Sequence, residues 1–168
     1  MRALARLNRI LERVAEASVI AMVPVMVAVM AAQVFLRYVF NTSLSWSEEL
    51  TLGLFTWTVM LMGALGVKHG LHVRMSLLIK QLPHGARVRA EQLIHLATTA
   101  LGGFLSWSAW RYVTETSGTT SAAIGYPLEA LYSSALVCGV LIALFALEAL
   151  LAGRIPADEE EREREAGV

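Results

Sequence analysis

The sequence predicts an all-α integral membrane protein with four spanning helices, and three observations carry that prediction. Four apolar stretches are each long enough to cross a hydrocarbon layer of about 30 Å, which takes roughly 20 helical residues. Charged residues make up 17% of the 168-residue chain and hydrophobic ones 56%, where a soluble domain carries about 25% charged. Of the 14 Lys and Arg residues, 12 fall on one side of the four stretches.

In chain order, residues 1–16 come before the first span. Leu4, Leu7, Leu11 and Val14 repeat at helical spacing, and Arg2, Arg6, Arg9 and Arg13 repeat on another face. This predicts an N-terminal amphipathic helix lying on the inner membrane surface, with Arg6, Arg9 and Arg13 meeting anionic lipid or a partner. The first span covers about 17–36. A signal peptide ending near Val29-Met30-Ala31 is the competing reading, disfavoured by Glu12 and Glu16 and by the long apolar run. The second span covers about 50–67. Residues 71–82 place Leu71, Met75, Leu78, Ile79 and Leu82 on one face and end at Pro83, so a second short amphipathic helix is expected there. The third span covers about 92–112 and the fourth about 127–151. Together, residues 1–155 form a single four-span membrane domain. The alternating Glu and Arg residues of 156–168 read as a charged, solvated tail. Backbone groups have no water to bond in lipid, so the spans must be helices; barrel strands would be only about 10 residues long.

Basic residues set the orientation. Arg2, Arg6, Arg9 and Arg13, then Lys68, Arg74, Lys80, Arg87 and Arg89, then Arg154, Arg162 and Arg164 share one side, leaving Arg37 and Arg111 on the other. Lys and Arg are retained on the cytoplasmic side, so both termini are expected inside. Tyr38, Trp46, Trp110, Tyr112 and Tyr126 fall at the outer helix ends, where aromatic rings settle at headgroup level.

The formal net charge of zero gives no reason to expect a nucleic-acid partner. Cys138 is the only cysteine and Asp158 the only aspartate, and no Gly-rich phosphate loop, CxxC pair or HExxH pattern occurs. No catalytic, cofactor or metal site is therefore expected, and the chain reads as a non-enzyme. No Asp, Glu, Lys or Arg lies near the middle of a span. Intramembrane charges mark transport paths, so the chain is not expected to form a solute path alone.

The outer hairpin between the first two spans holds the densest local signal. Ser45 and Glu48 have capping-box spacing, and Glu48 and Glu49 sit at the positive end of a helix dipole. Arg37 closes the first span and can pair with either glutamate. Arg37, Trp46, Glu48 and Glu49 are the expected structural or partner-docking cluster, with cap and ion pair as the simplest role. His69, His72 and His95 lie near the inner surface. His72 and Arg74 are expected to meet lipid or a partner there. Gly53, Gly63, Ala64, Gly66, Gly70, Gly102, Gly103 and Gly139 allow close helix approach.

Several of these pieces, in this order, resemble the small membrane subunit of tripartite ATP-independent periplasmic (TRAP) transporters, the DctQ family. They are Arg37-Tyr38-Val39-Phe40-Asn41 with Trp46-Ser47-Glu48-Glu49-Leu50, then Leu54-Phe55-Thr56-Trp57 and Met62-Gly63-Ala64. After Lys68 come His72-Val73-Arg74 and Leu82-Pro83, then Thr120-Ser121-Ala122-Ala123-Ile124-Gly125-Tyr126-Pro127 with Tyr132. They cover about residues 15–150. One departure is Ser76, where the family often has an aspartate after the inner-loop histidine and valine.

The resemblance implies a non-catalytic scaffold subunit of a sodium-coupled importer in the bacterial inner membrane. It would pair with a large membrane subunit that handles Na+ and solute, and help dock a periplasmic binding protein that delivers the solute, commonly an organic acid. Two rivals remain from the residues themselves. One is a four-helix cytochrome b-type anchor with His69 or His72 and His95 as haem ligands. The other is a small homo-oligomeric exporter.

Overall fold

The structure, a computed structural model, describes residues 2–42, 44–70 and 84–152. Four helices account for nearly all of them: α1 (Arg2–Phe40), α2 (Ser45–Lys68), α3 (His84–Glu115) and α4 (Glu129–Ala152). The chain is an all-α membrane protein. By length and composition, Leu4–Phe40, Ser45–Lys68 and Glu129–Leu151 can each cross a bilayer. Helix α3 has 32 residues, ample length for a span, but Glu91, Gln92, His95, Thr98 and Thr99 make its first half less apolar.

The first helix differs from expectation. Residues 2–40 form one continuous helix of 39 residues, where the periodicity suggests a surface helix followed by a separate span. Between Arg13 and Val19 the chain has no Gly or Pro to break it, and Ala, Glu and Arg favour continuation. At about 1.5 Å per residue the helix is about 58 Å long, roughly twice a hydrocarbon layer. Pro24 lies inside it; it costs one backbone donor, which a membrane helix tolerates. The apolar periodicity of the N-terminal part also divides. Leu11 packs against the core that includes Ala15, whereas Leu7, Ile10 and Val14 are exposed beside Arg6, Arg9 and Arg13.

Helices α1 and α2 form an antiparallel hairpin, and α3 and α4 form another. The hairpins join through α2 and α4, which run parallel, and α1 also touches α4. The core lies where α1, α2 and α4 meet. Ala15, Leu61, Ala64, Leu65, Cys138, Leu141 and Phe145 are buried there, with Leu11, Val19, Trp57 and Met60 packed around them. Small side chains at Ala15 and Ala64 let the backbones approach, which drives helix association in lipid where apolar burial itself gains little.

The α3–α4 crossing is closer still. A Cβ built on Gly102 would lie 2.7 Å from the Ala143 backbone nitrogen and 2.9 Å from the Gly139 carbonyl oxygen. A Cβ on Gly139 would lie 2.7 Å from the Ser106 nitrogen and 2.9 Å from the Gly102 carbonyl oxygen. Gly53, Gly63 and Gly103 have nothing within 4 Å of such a Cβ, so of these five glycines two make the seam. Gly70 serves a different purpose, since its φ of +66° ends α2, and its N–H reaches the Val67 carbonyl at 3.3 Å.

Outside these contacts the helices are bare. On α1, Ile20, Val27, Val34 and Phe35 are exposed, and on α3 Leu93, Leu101, Phe104 and Trp107 are. Within the most apolar stretch of Leu4–Phe40 no residue is buried. The expected short amphipathic helix at 71–82, with His72 and Arg74, and the tail at 156–168 lie outside the described residues.

Candidate functional site at the two ends of the helices

Among the described residues, the charged side chains that link different helices gather at the two ends. At the end expected to face outward, called the outer end, α1 stops at Phe40 and Asn41 takes a left-handed φ of +52°. Helix α2 starts at Ser45 with Leu44 as its N-cap, and no side chain caps it. The expected capping box of Ser45 and Glu48 is thus not formed. Ser45 is already inside the helix, and Ser47, fully buried, donates its hydroxyl to the Leu44 carbonyl at 2.7 Å.

The two neighbouring glutamates do different things. Glu48 is exposed and accepts from the Gln33 side-chain amide at 3.2 Å, tying α2 to α1. Glu49 reaches the loop between α3 and α4. Its Oε1 accepts the Ala123 N–H at 2.9 Å and its Oε2 the Ile124 N–H at 3.0 Å, and Ser121 Oγ donates to Oε2. Successive backbone N–H groups turned to one point make an anion-binding concavity.

The loop is shaped for this. Thr120 and Pro127 form an antiparallel bridge, with Ser121 N–H to Tyr126 O at 2.9 Å and Leu128 N–H to Thr119 O at 3.0 Å. Gly125, at φ +74°, turns the chain and donates to Ser121 Oγ at 3.1 Å. Further along α2, the Trp57 indole N–H bonds the Ala130 carbonyl at 3.0 Å. Tyr112 and Tyr132 meet edge to face at 4.7 Å. Glu49 and Trp57 therefore staple the first hairpin to the start of α4.

The expected outer cluster is only partly assembled. Among the described residues no ion pair joins Arg37 to Glu48 or Glu49. Arg37 is exposed on the rim of a groove between α1 and α2 that Met30, Gln33, Glu48 and Thr51 also line. Glu48 accepts the Gln33 amide instead, and Glu49 is turned to the far loop. Trp46 is also exposed.

At the inner end a second group forms, which the sequence does not announce. Lys68 Nζ and Glu148 Oε2 lie 2.7 Å apart, with side chains 13% and 15% exposed. Asn8, completely buried, donates its amide to Glu148 Oε2 at 2.7 Å and to the Leu144 carbonyl at 3.0 Å. The Lys68 ammonium also sits 5.4 Å from the centre of the Phe145 ring, within cation–π range. One carboxylate oxygen thus gathers α1, α2 and α4. Replacing Asn8 with alanine removes both bonds and leaves a gap, and is expected to cost about 1–3 kcal/mol. A lowered midpoint of thermal unfolding in detergent would report it; an unchanged midpoint would show that the contact is dispensable.

Beside this group, His69 Nε2 lies 3.6 Å from Glu12 Oε1 and 3.4 Å from Glu16 Oε1. His69 therefore faces α1. His95, its partner in the haem reading, is on α3, which packs on α4. Arg6, Arg9 and Arg13 are exposed along α1, with Arg9 and Arg13 three residues before Glu12 and Glu16.

Comparison with known proteins adds a direct relation. The sequence profile of the DctQ component of tripartite ATP-independent periplasmic transporters matches residues 26–154. The C4-dicarboxylate TRAP transporter small permease protein DctQ of Vibrio cholerae is 33% identical over 90 residues, covering 50% of this chain and 38% of that protein. The chain thus aligns with well under half the length of this curated relative. The matched region runs from the middle of α1 to the end of α4 and contains the Glu49 staple and the glycine seam.

Proposed function

The chain belongs to the DctQ family, the small permease component of TRAP transporters, and on that premise we propose that it is a non-catalytic scaffold wall beside a solute path. Family membership and the apolar helices make it a multi-pass protein of the bacterial inner membrane. In the proposed assembly it pairs with the large membrane subunit, and its outer loops help seat a periplasmic binding protein. The large subunit carries Na+ and solute. An organic acid is the proposed solute class, in keeping with the C4-dicarboxylate in the relative's name.

The observation that carries this reading is where polarity sits. The charged contacts that link helices among the described residues lie at the two ends, and the bare faces of α1 and α3 between them are apolar. Such faces suit lipid or another apolar protein wall. They offer no polar relay through the chain itself.

We take α3 as the fourth span. It packs antiparallel on α4 along its length, with Gly102 near Ala143 and Tyr112 against Tyr132, and a partner so aligned must share the depth of α4. The charge bias supports both termini in the cytoplasm, with the Glu49 staple then on the periplasmic side.

Reconstitution tests the assignment. The chain should co-purify with a large TRAP membrane subunit, and proteoliposomes holding both, with the binding protein and a Na+ gradient, should accumulate solute. Transport by the chain alone, or full transport by the large subunit without it, would overturn the scaffold reading. A Soret band in the purified chain would favour the cytochrome alternative.

A further inference from the structure

We propose that Glu12, Glu16 and His69 form a binding site for a divalent transition-metal ion of the zinc class, at the inner end of the α1–α2 pair. Glu12 and Glu16 are four residues apart on α1, so their side chains rise from one helix face. His69 comes from the opposite helix, immediately after the last turn of α2, where its backbone N–H is fixed to the Leu65 carbonyl at 2.9 Å. One ligand atom from each of the three lies within 4.8 Å of the others.

The spacing suits a metal better than it suits a hydrogen bond. Zinc binds His nitrogen and carboxylate oxygen at about 2.0–2.2 Å with tetrahedral geometry, which separates neighbouring ligand atoms by about 3.3–3.5 Å. The two His69–carboxylate separations are 3.4 and 3.6 Å. Both exceed the usual 2.7–3.2 Å of an N–H···O hydrogen bond, so a single Nε2–H could reach the two carboxylates only as a long three-centre contact.

Charge argues the same way. Two carboxylates share one imidazole, and Lys68, the residue before His69, pairs with Glu148. Arg9 and Arg13 are exposed on α1 and make no ion pair with Glu12 or Glu16 among the described residues. A divalent cation would neutralise both carboxylates. The imidazole among the ligands favours zinc-class ions over Mg2+ or Ca2+, which prefer all-oxygen shells. The side chains are 20% to 44% exposed, which leaves an entry path and a position for water. The ion would lock the inner part of α1 to the end of α2, as Glu49 fixes the outer ends.

The test uses the full chain in lipid nanodiscs, with any affinity tag removed, titrated with Zn2+ against a fluorescent chelator. One ion per chain is expected, with micromolar or tighter affinity. His69→Gln, and Glu12→Gln with Glu16→Gln, should each weaken binding at least about tenfold, while His95→Gln should not. Saturating Zn2+ should raise the unfolding midpoint of the parent chain and not that of His69→Gln. X-ray absorption on the unsubstituted chain guards against misfolded variants; it should show one imidazole with oxygen ligands near about 2.0 Å. Equal binding by His69→Gln, no saturable binding, a sulfur ligand, or a shell of several imidazoles would each overturn the proposal.

Discussion

Replacing Gly139 with valine is expected to prevent the chain from accumulating in folded form, and even Gly139→Ala should lower its stability substantially. The reason is geometric. A methyl group at this position would sit 2.7 Å from one backbone atom and 2.9 Å from another across the helix pair. Flexible side chains can move aside, but backbone cannot without separating α3 from α4. Overpacking of this kind costs about 1–3 kcal/mol per position and sometimes more, and α4 is the helix on which α3 packs. Gly103→Ala, on the same helix as Gly102 but facing open space, should be neutral or slightly stabilising through helix propensity. Thermal unfolding in detergent of the two alanine variants decides the matter. Equal midpoints would mean that the α3–α4 seam is looser than described.

The second large effect belongs to Glu49. Glu49→Ala removes the acceptor for the Ala123 and Ile124 amides and for Ser121 at once. The loop from Thr116 to Leu128 would keep its own bridge but lose its attachment to α2. Hydrogen exchange at Ala123 and Ile124 should accelerate at least about tenfold, since local opening no longer breaks these bonds. Transport by the assembled complex should fall if the loop helps seat a binding protein. Glu48→Gln should change neither, because Glu48 holds one exposed bond to Gln33. If Glu48→Gln and Glu49→Ala behaved alike, the staple would not be the element that orders this loop.

These two expectations show how far the sequence could be read. The all-α membrane class, three apolar spans and the family were legible, because each rests on long runs and on motifs within one segment. The hairpin glutamates stood out as important, but their roles did not. Glu49 bonds residues more than 70 positions away, and no local pattern distinguishes it from Glu48. The capping box failed for a local reason: the helix begins one residue earlier than the motif implies, with Leu44 as N-cap, which puts Ser45 inside it.

Among the small residues, Gly102 and Gly103 are adjacent and chemically identical. Only the neighbouring helix makes one a contact and the other a lipid-facing gap. Glu148 could be read as snorkelling from α4. Its meeting with Asn8, 140 positions earlier, has no signature in periodicity. Glu12 and Glu16 are visible as an i, i+4 pair, yet His69 joins them only when α1 runs on unbroken past the expected start of the span.

The inner meeting of Asn8, Lys68 and Glu148 bears on the order in which the protein is made. Asn8 leaves the ribosome early, Lys68 midway, and Glu148 near the end of the last helix. Chains acquire their contacts as they emerge, so Asn8 and Lys68 enter the membrane before their shared acceptor exists. Until α4 inserts, an amide and an ammonium wait at the helix ends, where water can solvate them at little cost. A ribosomal product that stops short of Glu148 would keep those two groups unmatched and α1 without its anchor on α4. Glu148 is therefore the group whose arrival completes the contact among α1, α2 and α4.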